Sequence, residues 1–153
     1  MQLSKSTNIA ASPEEVWDVV SDIRNLASTI QGISRIEILE SASGPSIVGL
    51  KWRETRTWQG RDAAEVIWIT EAQESSHYST RAESHGSIYT AHISLEPGSI
   101  GTRFTMSFNA KPVNVGARIL WVLTGWMAKK ALGKTIEQDL TDIKSKVEQA
   151  TSQ

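Results

Sequence analysis

The chain contains no cysteine, which excludes disulfide bonds, thiolate metal ligands and cysteine nucleophiles. It also lacks an excess of charge of either sign, since 16 basic residues stand against 17 acidic ones. A broad electrostatic contact with nucleic acid is therefore not expected. With 153 residues the chain is long enough to bury a real core, and we expect a single domain over residues 1–153.

Long apolar runs are absent as well. No stretch approaches the roughly 20 apolar residues that a membrane-spanning helix needs. The first residues, Met1 to Lys5, carry no apolar signal region. Together these two absences predict a soluble, cytoplasmic protein without a transmembrane segment.

The sequence has few residues that could form a catalytic or metal site. Its histidines, His77, His85 and His92, are scattered over predicted strands and loops without the close spacing of metal ligands. No serine lies in the sequence context of a nucleophile elbow, and no glycine-rich phosphate loop is present. We therefore expect neither a metal nor another cofactor.

The sequence begins with a predicted strand that leads directly into a helix with strong N-terminal capping signals. Ser12 suits the N-cap, Pro13 suits the first helical position, and Glu15 stands where a capping box needs it. A second short helix is predicted to start after Asp22 and to end near Gly32. The pattern thus places two short helices in tandem after the first strand.

The middle of the chain reads as successive strands joined by hairpin-length turns. The predicted strands cover residues 33–40, 47–58, 61–71, 77–83, 87–96 and 102–109. Six or seven strands with such short connections indicate an antiparallel meander. A helix at each end of this run suggests a curved sheet wrapped around a long helix, an arrangement that tends to enclose a cavity.

A long amphipathic helix is predicted to close the chain, from about residue 114 to residue 147. Its apolar stripe advances in alternating steps of four and three and weakens in the middle, at Lys129 and Gly133. The small Gly133 would let a sheet or a ligand come close. The first half is apolar on several sides, so it either borders a cavity, with Trp126 in its wall, or contacts loops or a second subunit in a homodimer. The stripe comprises Val115, Ile119, Val122, Trp126, Lys129, Gly133, Ile136, Leu140, Ile143 and Val147.

Alternation along residues 47–58 places Glu54 and Arg56 on the same face as Trp52 and Trp58. Charges on an apolar face are costly unless they are paired. In one interpretation, Glu54 and Arg56 bind the polar group of a ligand, or act as an acid–base pair, inside an apolar pocket. The other is a structural ion pair at the rim, or a β-bulge that turns both side chains outward.

The same alternation predicts the other residues that line the cavity. Tyr78, Tyr89, Met106 and Phe108 each share a face with further apolar or small residues of their own strand. Tyrosine would bring a hydroxyl group into an apolar wall, which suits an amphipathic ligand. The strand around Trp68 is ambiguous because both of its faces are apolar. Either a bulge shifts its register or a partner covers its outer face.

Three short sequence motifs, together with the order of the predicted elements, resemble those of one family. They are IAASPEEVW at residues 9–17, GLKWRETR at residues 49–56, and GTRF at residues 101–104 followed by DLTDIK at residues 139–144. The chain resembles the START-like, helix-grip superfamily (SRPBCC), and within it the polyketide cyclase/dehydrase-like branch. The resemblance implies an α+β helix-grip fold, with a curved antiparallel sheet of six to seven strands around the C-terminal helix.

Fold alone does not select a function in such a family. We expect a protein that binds or carries a small hydrophobic or amphipathic ligand in its internal cavity. The alternative is an enzyme of the polyketide cyclase or dehydratase type, which would act by acid–base chemistry in the same cavity. A third possibility is an interaction module, such as a co-chaperone, that uses its surface.

Overall fold

The computed structural model of the protein describes residues 1–58 and 60–152, without the side chain of Trp58. Seven strands form one antiparallel sheet in the order β1-β7-β6-β5-β4-β3-β2. The predicted α+β helix-grip fold is confirmed. The strands are β1 (Gln2–Ile9), β2 (Ile33–Glu40), β3 (Lys51–Trp58), β4 (Arg61–Gln73), β5 (His77–Ser84), β6 (Ser87–Gly98) and β7 (Gly101–Pro112).

Two short helical segments follow β1, as the sequence predicts. Helix α1 (Pro13–Val20) begins with the complete capping box, in which the Ser12 hydroxyl accepts from the Glu15 amide and the Glu15 carboxylate accepts from the Ser12 amide. A 3₁₀ turn (Ile23–Asn25) leads into the single-turn helix α2 (Leu26–Thr29). The second helix is therefore shorter than expected, and the chain turns into β2 soon after it.

Strand β3 begins later than the sequence pattern suggests. Residues 47–50 form a turn, closed by a hydrogen bond from the Leu50 amide to the Ile47 carbonyl, and Gly49 within it has a φ of 89°. Alternation along residues 47–58 would also place Val48 on the inner face, but Val48 is 38% exposed. The left-handed backbone at Gly49 ends the extended conformation there.

The ambiguity around Trp68 is resolved by the register of β4. Ile69 is buried in the core, and Ile67 faces the interior with it. Trp68 faces the other side, where the Lys51 ammonium lies 5.6 Å from its ring centroid. A register irregularity between Ile69 and Glu71 then shifts the end of the strand.

The closing helix α3 (Val115–Thr151) starts at Asn114, whose side chain accepts from the Ala117 amide at 2.8 Å. Its second half docks against the sheet, and Ile136, Leu140 and Ile143 are each no more than 4% exposed. At Gly133 a Cβ atom would lie 3.7 Å from Leu3 Cδ2, so the small residue admits strand β1.

The first half of α3 is covered on one side only, through Ala117 and Trp121, and its stripe residues are exposed. Ile119 is 57% exposed and Val122 is 83% exposed. The core lies instead between the concave face of the sheet, α1 and the second half of α3, where Ile9, Val16 and Phe104 are completely buried. No helix in the described part of the chain has the length and apolar character needed to cross a membrane.

Candidate functional site

A cavity of about 690 Å³ lies between the concave face of the sheet, α2 and the second half of α3. This volume is within the range of small-molecule sites. The wall is largely apolar and takes residues from strands β2 to β7. Members include Leu26, Ile30, Ile33, Trp52, Ile67, Tyr78, Ala82, Tyr89, Ala91, Ile93, Phe104, Met106, Phe108, Leu132, Ile136 and Ile143.

Seven of the eight residues predicted for the site line this cavity. They are Trp52, Glu54 and Arg56 on β3, Tyr78 on β5, Tyr89 on β6, and Met106 and Phe108 on β7. They converge because period-two alternation turns every second side chain of each strand to the concave face. That they bind a ligand stays a prediction.

Trp126 is the exception. It is 70% exposed and lies outside the cavity, whose lining from α3 includes Leu132 and residues after it. Of the two alternatives for the first half of α3, the one in which it borders the cavity does not hold, because its apolar side chains are exposed. The side chain of Trp58, which alternation also places inward, lies outside the described residues.

Arg56 is the centre of a charged cluster in the cavity wall. Its Nε donates to Glu54 Oε2 at 3.0 Å, and its two terminal nitrogens donate to Asp139 at 3.2 Å and 2.8 Å. Gly32 leaves room for the guanidinium, since a Cβ atom there would lie 3.2 Å from Nη1. The paired, two-point contact is the strongest form of an arginine–carboxylate interaction.

Burial and pairing set the protonation of this cluster. Burial alone would lower the pKa of Arg56, but its hydrogen bonds and charge interactions with Asp139 and Glu54 outweigh that effect and raise it. Burial raises the pKa of Asp139, and the contact with Arg56 opposes this rise. The neighbouring charges of Glu54 and Asp142 raise the pKa of Asp139 further.

The two tyrosines of the wall differ in what their hydroxyls contact. The Tyr78 hydroxyl donates to the Val20 carbonyl at 2.9 Å, and its ring meets Trp17 edge-on at 5.9 Å. It therefore fixes α1 to the sheet. Tyr89 lies 6.0 Å from the Phe108 ring, and its hydroxyl has no hydrogen-bond partner among the described residues. Of these two tyrosines, Tyr89 is therefore the one whose hydroxyl is available to a ligand.

Within the described residues, no group of three or more histidine, cysteine, aspartate or glutamate side chains is arranged to hold a metal ion. The cavity wall contains His85, in the β5–β6 turn, and not His77 or His92. The site can thus offer a ligand an apolar volume, a guanidinium and carboxylates, and one free phenol.

The sequence matches the family model described as polyketide cyclase / dehydrase and lipid transport over residues 1–148. The chain belongs to this family. It matches none of the curated proteins. Membership in this family implies either ligand binding in a cavity or cyclase activity.

Solved structures show the same fold as this member of the polyketide cyclase/dehydrase and lipid transport family. The Zhui aromatase/cyclase from Streptomyces sp. R1128 has a TM-score of 0.82 at 13% identity, covering 99% of this chain and 95% of its own. A START superfamily protein from Mycobacterium smegmatis has a TM-score of 0.80 at 20% identity, covering 97% and 98%. A protein from Thermus thermophilus has a TM-score of 0.80 at 16% identity, covering 98% and 99%.

Sequence reasoning missed two buried carboxylates in this family member. Asp139 is 3% exposed and pairs with Arg56, while Asp142 is 8% exposed and accepts from the backbone and side chain of Gln31. A signal was present, because Asp139 lies three residues after Ile136 and four before Ile143, on the docked side of α3. The apolar stripe alone did not reveal it.

Proposed function

We propose that the protein binds a small, uncharged, amphipathic ligand in the cavity, with the ligand's polar group at Arg56. The observation that carries this proposal is the charged cluster of Arg56, Glu54 and Asp139 on a largely apolar wall. An apolar volume supplies affinity, and a few fixed polar groups supply orientation.

The charge balance of the cluster favours an uncharged ligand. Glu54 and Asp139 provide two carboxylates for the single guanidinium of Arg56. A carboxylate on the ligand would add a third negative charge at the same place. Among the described residues, three of the five N–H groups of Arg56 are engaged, and a ligand carbonyl can accept from one of the other two. The carboxylate oxygens can accept from a ligand hydroxyl.

A pair of matched probes tests this proposal. Hydroxypyrene and pyrene carboxylate share one ring system and differ in the charge of the polar group at neutral pH. We expect fluorescence titration to show binding of hydroxypyrene and at least about tenfold weaker binding of the carboxylate, the scale of one hydrogen bond involving a charge. Equal affinities would contradict the role assigned to the cluster.

Two alanine variants separate cavity binding from surface binding. Ala91 lines the cavity, and Ala91→Trp should fill part of it and abolish hydroxypyrene binding. Ala150 is exposed near the end of α3, and Ala150→Trp should leave the affinity unchanged. Thermal unfolding checks that both variants remain folded. Binding that survives Ala91→Trp would place the probe elsewhere.

One observation favours the alternative, an acid–base enzyme of the cyclase or dehydratase type. Asp139 faces the cavity, and burial raises the pKa of its carboxyl, as a proton-transferring group requires. Arg56 beside it could polarise a substrate carbonyl. Asp139→Asn would test this with a short polyketone substrate. For an enzyme, product formation should stop while hydroxypyrene still binds.

A further inference from the structure

The first half of α3 presents a large apolar surface, here called the outer face of α3. Val122 is 83% exposed, Val115 71% and Trp126 70%. Single exposed apolar residues are ordinary on protein surfaces, but a contiguous set of this size marks a contact with something else. The outer face comprises Val115, Ile119, Leu120, Val122, Leu123, Trp126 and Met127.

The outer face points away from the body of the protein. At about 100° per residue, its seven side chains fall within an arc of roughly 160°. Ala117 and Trp121 lie on the opposite side of the helix. Ala117 is buried, and the Trp121 indole donates to the Ser87 hydroxyl at 3.2 Å. The described residues therefore cover one side of this half-helix and leave its apolar side uncovered.

The charged residues in this part of the sequence all have one sign. The sequence has no acidic residue between Glu96 and Glu137. Lys130 and Lys134 lie about one and two helical turns after Met127, the last residue of the outer face. At about 100° per residue, both project in roughly the same direction as the centre of that face. None of the ion pairs among the described residues involves them. The six basic residues of this stretch are Arg103, Lys111, Arg118, Lys129, Lys130 and Lys134.

We propose that the outer face of α3 docks on the surface of an anionic lipid membrane. The helix would lie in the interface, with its apolar side chains among the acyl chains and Lys130 and Lys134 against lipid phosphates. Trp126 suits this position because indole prefers the membrane–water boundary. A second copy of the protein fits less well, since its outer face carries no carboxylate to pair with these lysines. The proposal does not depend on the ligand of the cavity.

Vesicle co-sedimentation of the full chain tests the proposal. The vesicles contain one part phosphatidylserine to two parts phosphatidylcholine, or phosphatidylcholine alone. We expect binding to the anionic vesicles, weaker binding to the neutral ones, and a loss of binding as salt is added. Circular dichroism and thermal unfolding check that each variant is folded. We expect all of them to fold, because the substituted side chains are exposed.

The variants separate the apolar from the electrostatic contribution. Val122→Ser with Leu123→Ser should weaken binding at least about tenfold, whereas Ile100→Ser, at an equally exposed site in the β6–β7 turn, should not. Lys130→Gln and Lys134→Gln should each weaken binding about fivefold. Lys146→Gln, an exposed site in the docked half of α3, should leave it unchanged.

Any of the following results would overturn the proposal. One is the absence of binding to anionic vesicles. Another is binding that the outer-face variants do not weaken, or that is as strong on neutral vesicles. The third is a concentration-dependent dimer in analytical ultracentrifugation that Val122→Ser with Leu123→Ser dissociates, without any vesicle binding. The outer face would then be an interface between copies of the chain.

Discussion

Arg56 on β3 and Asp139 on α3, which are 83 residues apart in the sequence, form a two-point ion pair. Arg56 Nη1 lies 3.2 Å from Asp139 Oδ1, and Nη2 lies 2.8 Å from Oδ2. Glu54 holds the third nitrogen of the same guanidinium at 3.0 Å. The pair therefore connects the strand β3 side of the cavity wall to the helix α3 side. The same guanidinium and carboxylates are charged groups that the wall offers to a ligand.

Arg56→Met should destabilise the protein by about 3–5 kcal/mol at neutral pH, because it leaves buried carboxylates without their cation. From the sequence alone, with Glu54 as the only partner, we would expect stability to change little or even to rise. Arg53→Met is the control, since its pair with Glu37 lies where both side chains are 44% exposed. Its loss should cost about 0.2–1 kcal/mol. Urea denaturation measures both.

The cost of Arg56→Met should shrink in acid. Without Arg56, the pKa of the Asp139 carboxyl rises further, since the contact that opposed the effect of burial is gone. When folding raises the pKa of an acid, proton binding by that acid stabilises the folded state. This stabilisation is complete below the pKa of the acid in the unfolded chain, and it is lost as the pH rises through the pKa in the folded protein. Relative to the wild type, the variant should therefore gain stability as the pH falls. A constant difference would contradict this account.

The fold and most of the cavity wall could be predicted because they depend on local periodicity. Alternation along a strand determines which side chains face inward, so it predicts the inner face for Trp52, Glu54 and Arg56, and all three line the cavity. Asp139 depends on a contact across 83 residues, and no local pattern encodes its partner. Trp126 was misplaced because helical periodicity does not tell how far the sheet extends beneath a helix of 37 residues.

Leu140→Ala should cost about 2–5 kcal/mol of unfolding free energy, because Leu140 is 4% exposed in the docked half of α3. Leu123→Ala is the matched control on the same helix. Leu123 is 68% exposed, so its loss should change stability by no more than about 0.5 kcal/mol. Denaturant titration of both variants measures the difference. Similar costs at the two positions would mean that α3 docks along its whole length.

Gly101→Ala should be strongly destabilising, by more than the roughly 1 kcal/mol that a positive φ alone costs. Gly101 has a φ of 129°, and a Cβ atom there would lie 2.2 Å from the Ile9 carbonyl oxygen. Because that obstacle is backbone, β1 and β7 would have to separate locally. Gly44→Ala is the control, since its Cβ would meet nothing within 4 Å. Thermal unfolding should show a clear loss for Gly101→Ala and almost none for Gly44→Ala.

Tyr78→Phe should cost about 1 kcal/mol at neutral pH, because it removes the hydrogen bond that the hydroxyl donates to the Val20 carbonyl. The cost should fall at high pH. Burial raises the pKa of Tyr78 above the ordinary value of about 10, and the charge of Glu54 raises that pKa further.

The sign follows from proton binding. Above about pH 10 the unfolded chain releases the tyrosine proton while the folded protein retains it, so the wild type loses stability by up to about 1.4 kcal/mol per pH unit. The phenylalanine variant has no such proton at this position. Urea denaturation of both proteins at neutral pH and near pH 11 should therefore show the advantage of the wild type shrinking or reversing. An advantage that stays the same at both pH values would mean that Tyr78 ionises as readily in the folded protein as in the unfolded chain.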